Sequence, residues 1–339
     1  MAMRITSGMI SGGYKSQMND TLSRLDYYTK RANDLRNFRK FSEDPVSASK
    51  AMRLRKSYKQ NEDYINNIAS VKDSYALTED SAMDIKAILD QVKESIQGAA
   101  NKGTFPKSDL EIYAKTFRGL QEDFLTIANS KLNDNYVFGG KKATDIPFTV
   151  SADGKLLYHN IDVENADANK LEQLSNEEIY IDVGLGVNVD KDGNVDTASV
   201  FNDKVNGLAF FGYGKDANGN SKNVYNILGE MATSIETSLE KNDNSFNTEV
   251  AADFMKRIIS ATDDLTVSMG NLGVKVNQLE RIDARLANIQ EDLNEQLSNL
   301  EYVDAEEAYT DLTYQQYVYD ASLKIGSKLL QSSFLDYMR

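Results

Sequence analysis

A chain of 339 residues is long enough for two or three domains with a substantial core. Its 38 Lys+Arg against 52 Asp+Glu make it acidic, which argues against nucleic acid as the main partner, because phosphate binding rests on basic surface. It has no cysteine, so disulfides, thiol nucleophiles and thiolate metal sites are excluded.

No run of 18 apolar residues is present to cross a membrane, and the opening MAMRITSGMISGGYKS lacks the apolar stretch of a secretory signal peptide. The charge is unevenly placed. Residues 1–60 hold 13 Lys+Arg and 5 Asp+Glu, whereas Val276 to Asp311 holds two basic and ten acidic residues. A basic arm suits nucleic acid or anionic lipid, or a basic helix lying against an acidic one from the same or a neighbouring chain. The second reading is favoured, since an acidic partner is visible in the sequence.

Met18, Leu22, Leu25, Tyr28, Ala32 and Leu35 repeat at 3-4 spacing, which predicts an amphipathic helix from about Ser16 to Lys40. Gly8, Gly12 and Gly13 weaken helix before it. A break follows at Ser42-Glu43-Asp44-Pro45, where Asp suits an N-cap and Pro the first helical position. From Val46 a long helix carries Tyr64, Ile68, Val71, Tyr75, Thr78, Ala82, Ile85, Leu89, Val92, Ile96 and Ala99 on one stripe, ending near Gly103. Ser108-Asp109-Leu110-Glu111 reads as a capping box for a third helix on Leu110, Tyr113, Phe117, Leu120, Phe124 and Ile127, running to about Leu132. The aromatic residues of these stripes read as core.

Residues 136–224 change texture, being rich in Gly, Asn, Asp and Val. Lys155 to His159 follows Asp153-Gly154, while Ile179 to Val183 and Val187 to Val189 precede Asp192-Gly193. Asp-Gly between β-formers signals hairpins, so this is a β-rich insert, joined through Gly139-Gly140 as a surface domain would be. Helix returns at Val224, Ile227, Leu228, Met231 and Ile235, then again at Val250, Phe254, Ile258, Ala261 and Leu265. It passes into a heptad stripe with Leu279, Leu286, Leu293 and Leu300 at every seventh residue and Ile282, Ile289 and Val303 between them, Gln296 being the polar exception. The phase fails near Asp304, mirroring the break near Pro45. A new apolar face then runs Ala308, Leu312, Tyr317, Ala321, Ile325 and Leu329 to Phe334, Leu335 and Tyr337.

The order is nested, and the fold expected is mainly α with a β-rich insert: a long-helix coiled-coil bundle made from both ends of the chain. Residues 1–42 and 304–339 form a terminal coiled-coil domain, 43–140 and 225–303 the bundle, and 141–224 the insert. The expected bundle core is Ile68, Tyr75, Ile85, Leu89, Leu279, Ile282, Leu286, Ile289, Leu293 and Leu300. The expected assembly helices carry Met18, Leu22, Leu25, Leu35, Leu312, Ile325, Leu329, Phe334 and Leu335, because apolar stripes without an internal partner drive association.

Several local patterns resemble one family. Met3-Arg-Ile-Thr6 is similar to its start, and Glu43-Asp44-Pro45-Val46 with Ala48, Ala51 and Leu54 to its acidic-Asp-Pro-Val motif. Asn129, Asn135-Tyr136-Val137-Phe138-Gly139-Gly140 and Pro147-Phe148 are similar to its passage into the insert. Asp304-Ala305-Glu306-Glu307-Ala308 and Ser333 to Tyr337 match its closing segments. On these residues the chain resembles the flagellin superfamily, most closely the hook–filament junction family (FlgL, hook-associated protein 3). Arg36 to Phe41 stands where that family has a Ser-Gly-Lys-type turn.

The resemblance implies a non-enzymatic structural subunit of the bacterial flagellum joining hook to filament. It implies partners among copies of itself, the FlgK-type junction protein, flagellin or the filament cap, and an export chaperone, with no nucleic acid and no membrane. Export through the flagellar type III channel without a cleaved signal peptide is likewise implied. The alternatives are flagellin proper and a secreted coiled-coil adhesin or binding protein. No cofactor is expected. His159, the single histidine, reads as surface or hydrogen-bonded rather than catalytic. Asp190-Lys-Asp192-Gly193-Asn194-Val-Asp196 alternates oxygens as calcium loops do but lacks the bidentate Glu, so a hairpin turn accounts for it as well.

Overall fold

A computed structural model describes residues 7–100, 107–177, 179–186, 191, 200–203, 205–241 and 246–337. Eight α-helices follow in order among them: α1 (Ser7–Asp34), α2 (Pro45–Ala100), α3 (Lys107–Ala128), α4 (Ala168–Ser175), α5 (Gly207–Phe211), α6 (Val224–Lys241), α7 (Thr248–Glu301) and α8 (Ala305–Tyr337). Seven short strands lie between α3 and α6. β1 (Lys131–Leu132) pairs with β2 (Asn135–Tyr136); β3 (Phe148–Val150), β4 (Leu156–Tyr158) and β5 (Ile161–Asp162) form an antiparallel meander; β6 (Tyr180–Ile181) pairs with β7 (Phe201–Asn202). The chain divides into two compact units, Asp63–Leu286 and the joined ends Met1–Glu62 with Ala287–Arg339.

The larger unit holds a continuous apolar core. From α2 it takes Ile68, Val71, Tyr75, Ala82, Ile85, Leu89, Val92 and Ile96, all buried, with Tyr64 half-buried. From α7 it takes Ile258, Leu265, Leu272, Leu279, Ile282 and Leu286. The 3-4 spacing on both helices explains why these side chains share one face. α3 and α6 pack beside them through Phe117, Phe124, Leu228 and Met231. The ring of Phe124 meets Phe211 edge-on at 5.1 Å and Tyr225 at 6.2 Å, and Phe211 lies 5.7 Å from Phe148 and 4.7 Å from Phe138. Each such ring adds about 0.5–1.5 kcal/mol beyond its buried area. The insert is therefore not a separable surface domain, because its aromatic residues complete the helical core.

Four helix boundaries differ from the sequence reading. α1 begins at Ser7 in spite of three glycines and stops at Asp34, where Leu35 turns to a φ of 53°. α3 begins at Lys107, so Ser108 lies inside the first turn, and its hydroxyl reaches Asp109 rather than capping the helix. α3 also ends at Ala128, since Lys131 and Leu132 are claimed by the β1–β2 hairpin.

Candidate assembly interface

The unit made from the two ends is built on a pair of matched joints. Between α1 and α2 the two acidic residues before Pro45 divide their work. Glu43 accepts the backbone N–H of Arg39 at 2.7 Å, and Asp44 Oδ1 accepts the N–H groups of Val46 and Ser47 at 3.1 and 3.0 Å, capping α2. The Arg39 N–H holds the Glu43 carboxyl below its ordinary range, and hydrogen bonds from Ser47 do the same for Asp44. Between α7 and α8, Asp304 Oδ1 caps the next helix through the Glu306 N–H at 2.7 Å.

These joints bind each other. Asn37 donates its backbone N–H to the Glu301 carbonyl at 2.9 Å and its side-chain amide to the carbonyls of Leu300 and Tyr302 at 3.2 and 2.8 Å. The Val303 N–H returns to the Leu35 carbonyl at 3.0 Å. Arg31, on the last turn of α1, pairs with Asp311 at 2.6 Å and Glu307 at 3.0 Å on α8. The expected basic-against-acidic packing is thus present within the chain at this point, and again where Arg55 meets Glu301 at 2.7 Å.

Beyond the joints, α1 and α8 approach through small residues. Ala32 and Ala308 are buried between them, the Tyr14 ring packs directly on Gly326, and the Tyr14 hydroxyl donates to the Ser322 carbonyl at 3.1 Å. Close approach leaves the larger side chains outside. Among the described residues of this unit, the only buried apolar ones are Ala32, Ala48, Ala51 and Ala308. Leu22, Tyr27, Phe41, Val46, Met52, Tyr309, Leu323 and Ile325 are exposed, Tyr314 is 68% exposed and Tyr317 72%. Of the expected assembly residues, Met18, Leu25, Leu35 and Leu312 are half-buried, while the side chains of Leu329, Phe334 and Leu335 lie outside the described ones.

The burial of the α7 stripe weakens past Leu286. Leu279, Ile282 and Leu286 are buried, but Ile289 is 38% exposed and Leu293 and Leu300 are only half-buried. A straight helix drifts about 20° per heptad against a 3.5-residue repeat. After Leu286 the inward positions become Gln290, Leu293, Leu297 and Leu300, and Gln290 accepts the Asn61 amide at 2.6 Å. Gln296 is therefore no exception in the seam, because it faces solvent.

In the larger unit the motif residues act structurally. The Asn129 amide donates to the Phe148 carbonyl at 2.9 Å and accepts its N–H at 3.1 Å, holding β3 against α3. A side chain on Gly139 would collide with Ala143 at 2.8 Å, and Gly140 has a φ of +58° under the Tyr158 hydroxyl. Tyr136, Phe138, Pro147 and Phe148 are buried around this turn. His159 places Nε2 2.9 Å from the Gly139 carbonyl and its ring against Tyr158. The Asp190–Asp196 segment lies outside the described residues apart from Lys191, and among those described no cluster of His, Asp and Glu could hold a metal ion. No described helix is long and apolar enough to cross a membrane.

One ionisable group escaped sequence reasoning. Asp203, just past β7, faces the Tyr75 hydroxyl and the Lys275 ammonium, and its Oδ1 and that hydroxyl are both buried. Burial pushes the Asp203 carboxyl above its ordinary range against the opposing pull of Tyr75 and Lys275, and burial also raises Tyr75. A carboxyl raised in the folded state stabilises most below its unfolded value, near pH 4, and that contribution is lost as pH rises through the folded one. Asp203→Asn should therefore raise the melting temperature at neutral pH, with the gain shrinking towards pH 4. A lower melting temperature at neutral pH would show that Lys275 outweighs the burial.

Comparison with known proteins agrees with this architecture. Residues 255–338 match the family described as the bacterial flagellin C-terminal helical region. The flagellar hook-associated protein 3 of Salmonella typhimurium is 23% identical over 286 residues, covering 84% of this chain and 83% of that protein. A solved structure assigned to a flagellar hook-associated protein of Vibrio parahaemolyticus has a TM-score of 0.58 at 14% identity, covering 77% of this chain and 100% of that one. FlgL of Xanthomonas campestris gives 0.54 at 13%, covering 72% and 99%. These structures share its fold, long helices from both ends of the chain with a small β insert. With sequence likeness along most of its length and a flagellin-type C-terminal region, the chain is similar to the flagellar hook-associated protein 3 (FlgL) proteins.

Proposed function

We propose that this chain is a structural subunit of the junction between flagellar hook and filament, and that its terminal helices pack with those of neighbouring copies. The observation that carries the packing mechanism is that no described apolar residue larger than alanine is buried in the unit made from the ends. A helix pair whose large apolar side chains face water gains little from folding alone and much from a neighbour. The terminal assembly domain expected over residues 1–42 and 304–339 extends on this reading to the whole unit of residues 1–62 with 287–339, and residues 63–286 form the core that carries the insert.

On this reading the partners are copies of the chain itself, the FlgK-type junction protein on the hook side, and the cap or flagellin on the filament side. A dedicated chaperone shields the apolar ends during export, which needs no cleaved signal peptide. The protein works without an active site, a cofactor, a membrane anchor or nucleic acid.

The test is complementation of cells lacking their own copy. The full chain should restore filaments. A chain lacking 327–339, which removes Leu329, Leu330, Phe334, Leu335 and Tyr337, should be exported with an unchanged core melting temperature yet leave bare hooks and flagellin in the medium. Normal filaments from the truncated chain, or from cells with no copy at all, would overturn the proposal.

A further inference from the structure

The charges of the end unit fall into two bands that a single chain leaves unmatched. From Pro45 to Gln60, α2 carries Lys50, Arg53, Arg55, Lys56 and Lys59 and no acidic residue. From Ala287 to Glu301, α7 carries Glu291, Asp292, Glu295 and Glu301 and no basic one. Within the chain Arg55 takes Glu301 and Lys59 takes Glu62. Lys50, Arg53 and Lys56 are exposed and form no ion pair with described residues, and the same holds for Glu291, Asp292 and Glu295.

Their directions follow from the burial pattern. α2 turns Ala48, Ala51, Leu54, Tyr58 and Asn61 towards α7, which answers with Gln290, Leu293, Leu297 and Leu300. Arg53 and Lys56 lie on the side of α2 away from α7 and Lys50 on its flank, along about 9 Å of its axis, together with the exposed Val46. Glu291, Asp292 and Glu295 lie on the side of α7 facing away from α2, along about 6 Å. The two bands therefore point away from each other and cannot meet within one molecule.

We infer that the basic face of α2 over residues 50–56 docks on the acidic face of α7 over residues 291–295 in a second copy of this chain. Such a contact is head-to-tail: each copy offers one face of each sign, so it repeats from copy to copy until a ring closes or a helical array grows. Opposite charges across the contact select this partner and this orientation, while a like-charged face is repelled. The inference rests on the assembly role proposed above and names the surfaces that perform it.

Charge reversal tests it in cells lacking their own copy, with the full chain throughout. One variant carries K50E, R53E and K56E, so both faces are acidic; the other carries E291K, D292K and E295K, so both are basic. All six side chains are exposed, so each purified monomer should melt as the wild type does. Each variant alone should leave cells without filaments, and the two expressed together should restore them, because each then supplies the face the other lacks. Filaments from either variant alone, or no restoration by the pair, would overturn the pairing of these faces. Either result leaves the junction role standing, provided cells with no copy remain bare and the wild-type chain restores filaments.

Discussion

Leu286→Asp opens the core of the larger unit, whereas Leu293→Asp, one heptad further on, leaves that core standing. Leu286 is 2% exposed and belongs to the continuous core, so a carboxylate there is buried without a partner. The cost is about 3–5 kcal/mol, a large part of the stability of an ordinary domain. Leu293 is half-buried in the unit made from the ends, and its carboxylate would stay hydrated at a cost of about 1 kcal/mol. Glu291→Ala, on the outer face, should change stability by less than about 0.5 kcal/mol. Denaturant unfolding of the three purified variants checks this. Equal large losses at 286 and 293 would mean that the heptad seam stays buried through the boundary, and that the drift of α7 has been misjudged.

That contrast also marks how far periodicity could be read. The α2 stripe from Ile68 to Ile96 was legible because α3, α6 and α7 enclose it, so every apolar position finds a neighbour. The leucine heptad was legible as a helix but not as a seam. Its period of 3.5 and the helix's 3.6 part company, and beyond Leu286 no fully buried apolar side chain of α7 holds the phase. Ile289 and Gln296 therefore turned outward, and Gln290 and Leu297 inward.

The joints were legible where the chemistry is local. Asp44 before Pro45 signals a cap, and Asp304 marks the matching break. The clasp between them was not legible, because Asn37 reaches carbonyls at 300 and 302, more than 260 residues away in sequence. Asp203 was missed for the same reason: the groups it faces, Tyr75 and Lys275, lie on two distant helices. The strands, two or three residues each, are too short for alternation to show, and the hairpin at Asp153-Gly154 was found through its turn instead. Reading the insert as a surface domain joined through Gly139-Gly140 underrated Phe148, Phe210 and Phe211, whose rings join the insert to the helical core.

The central claim is that the two ends are only marginally held in one copy and become firmly held among several. Amide hydrogen exchange on the dilute monomer and on assembled junctions measures this residue by residue. In the monomer, α2 from Ile68 to Ile96 and α7 from Ile258 to Leu286 should exchange only by global opening, at least about a thousandfold slower than α1 and α8. In the assembled form α1 and α8 should slow towards the core value, while the core itself changes little. Terminal helices as protected in the dilute monomer as the Phe124 core would contradict the account, because they would then be stable without neighbours.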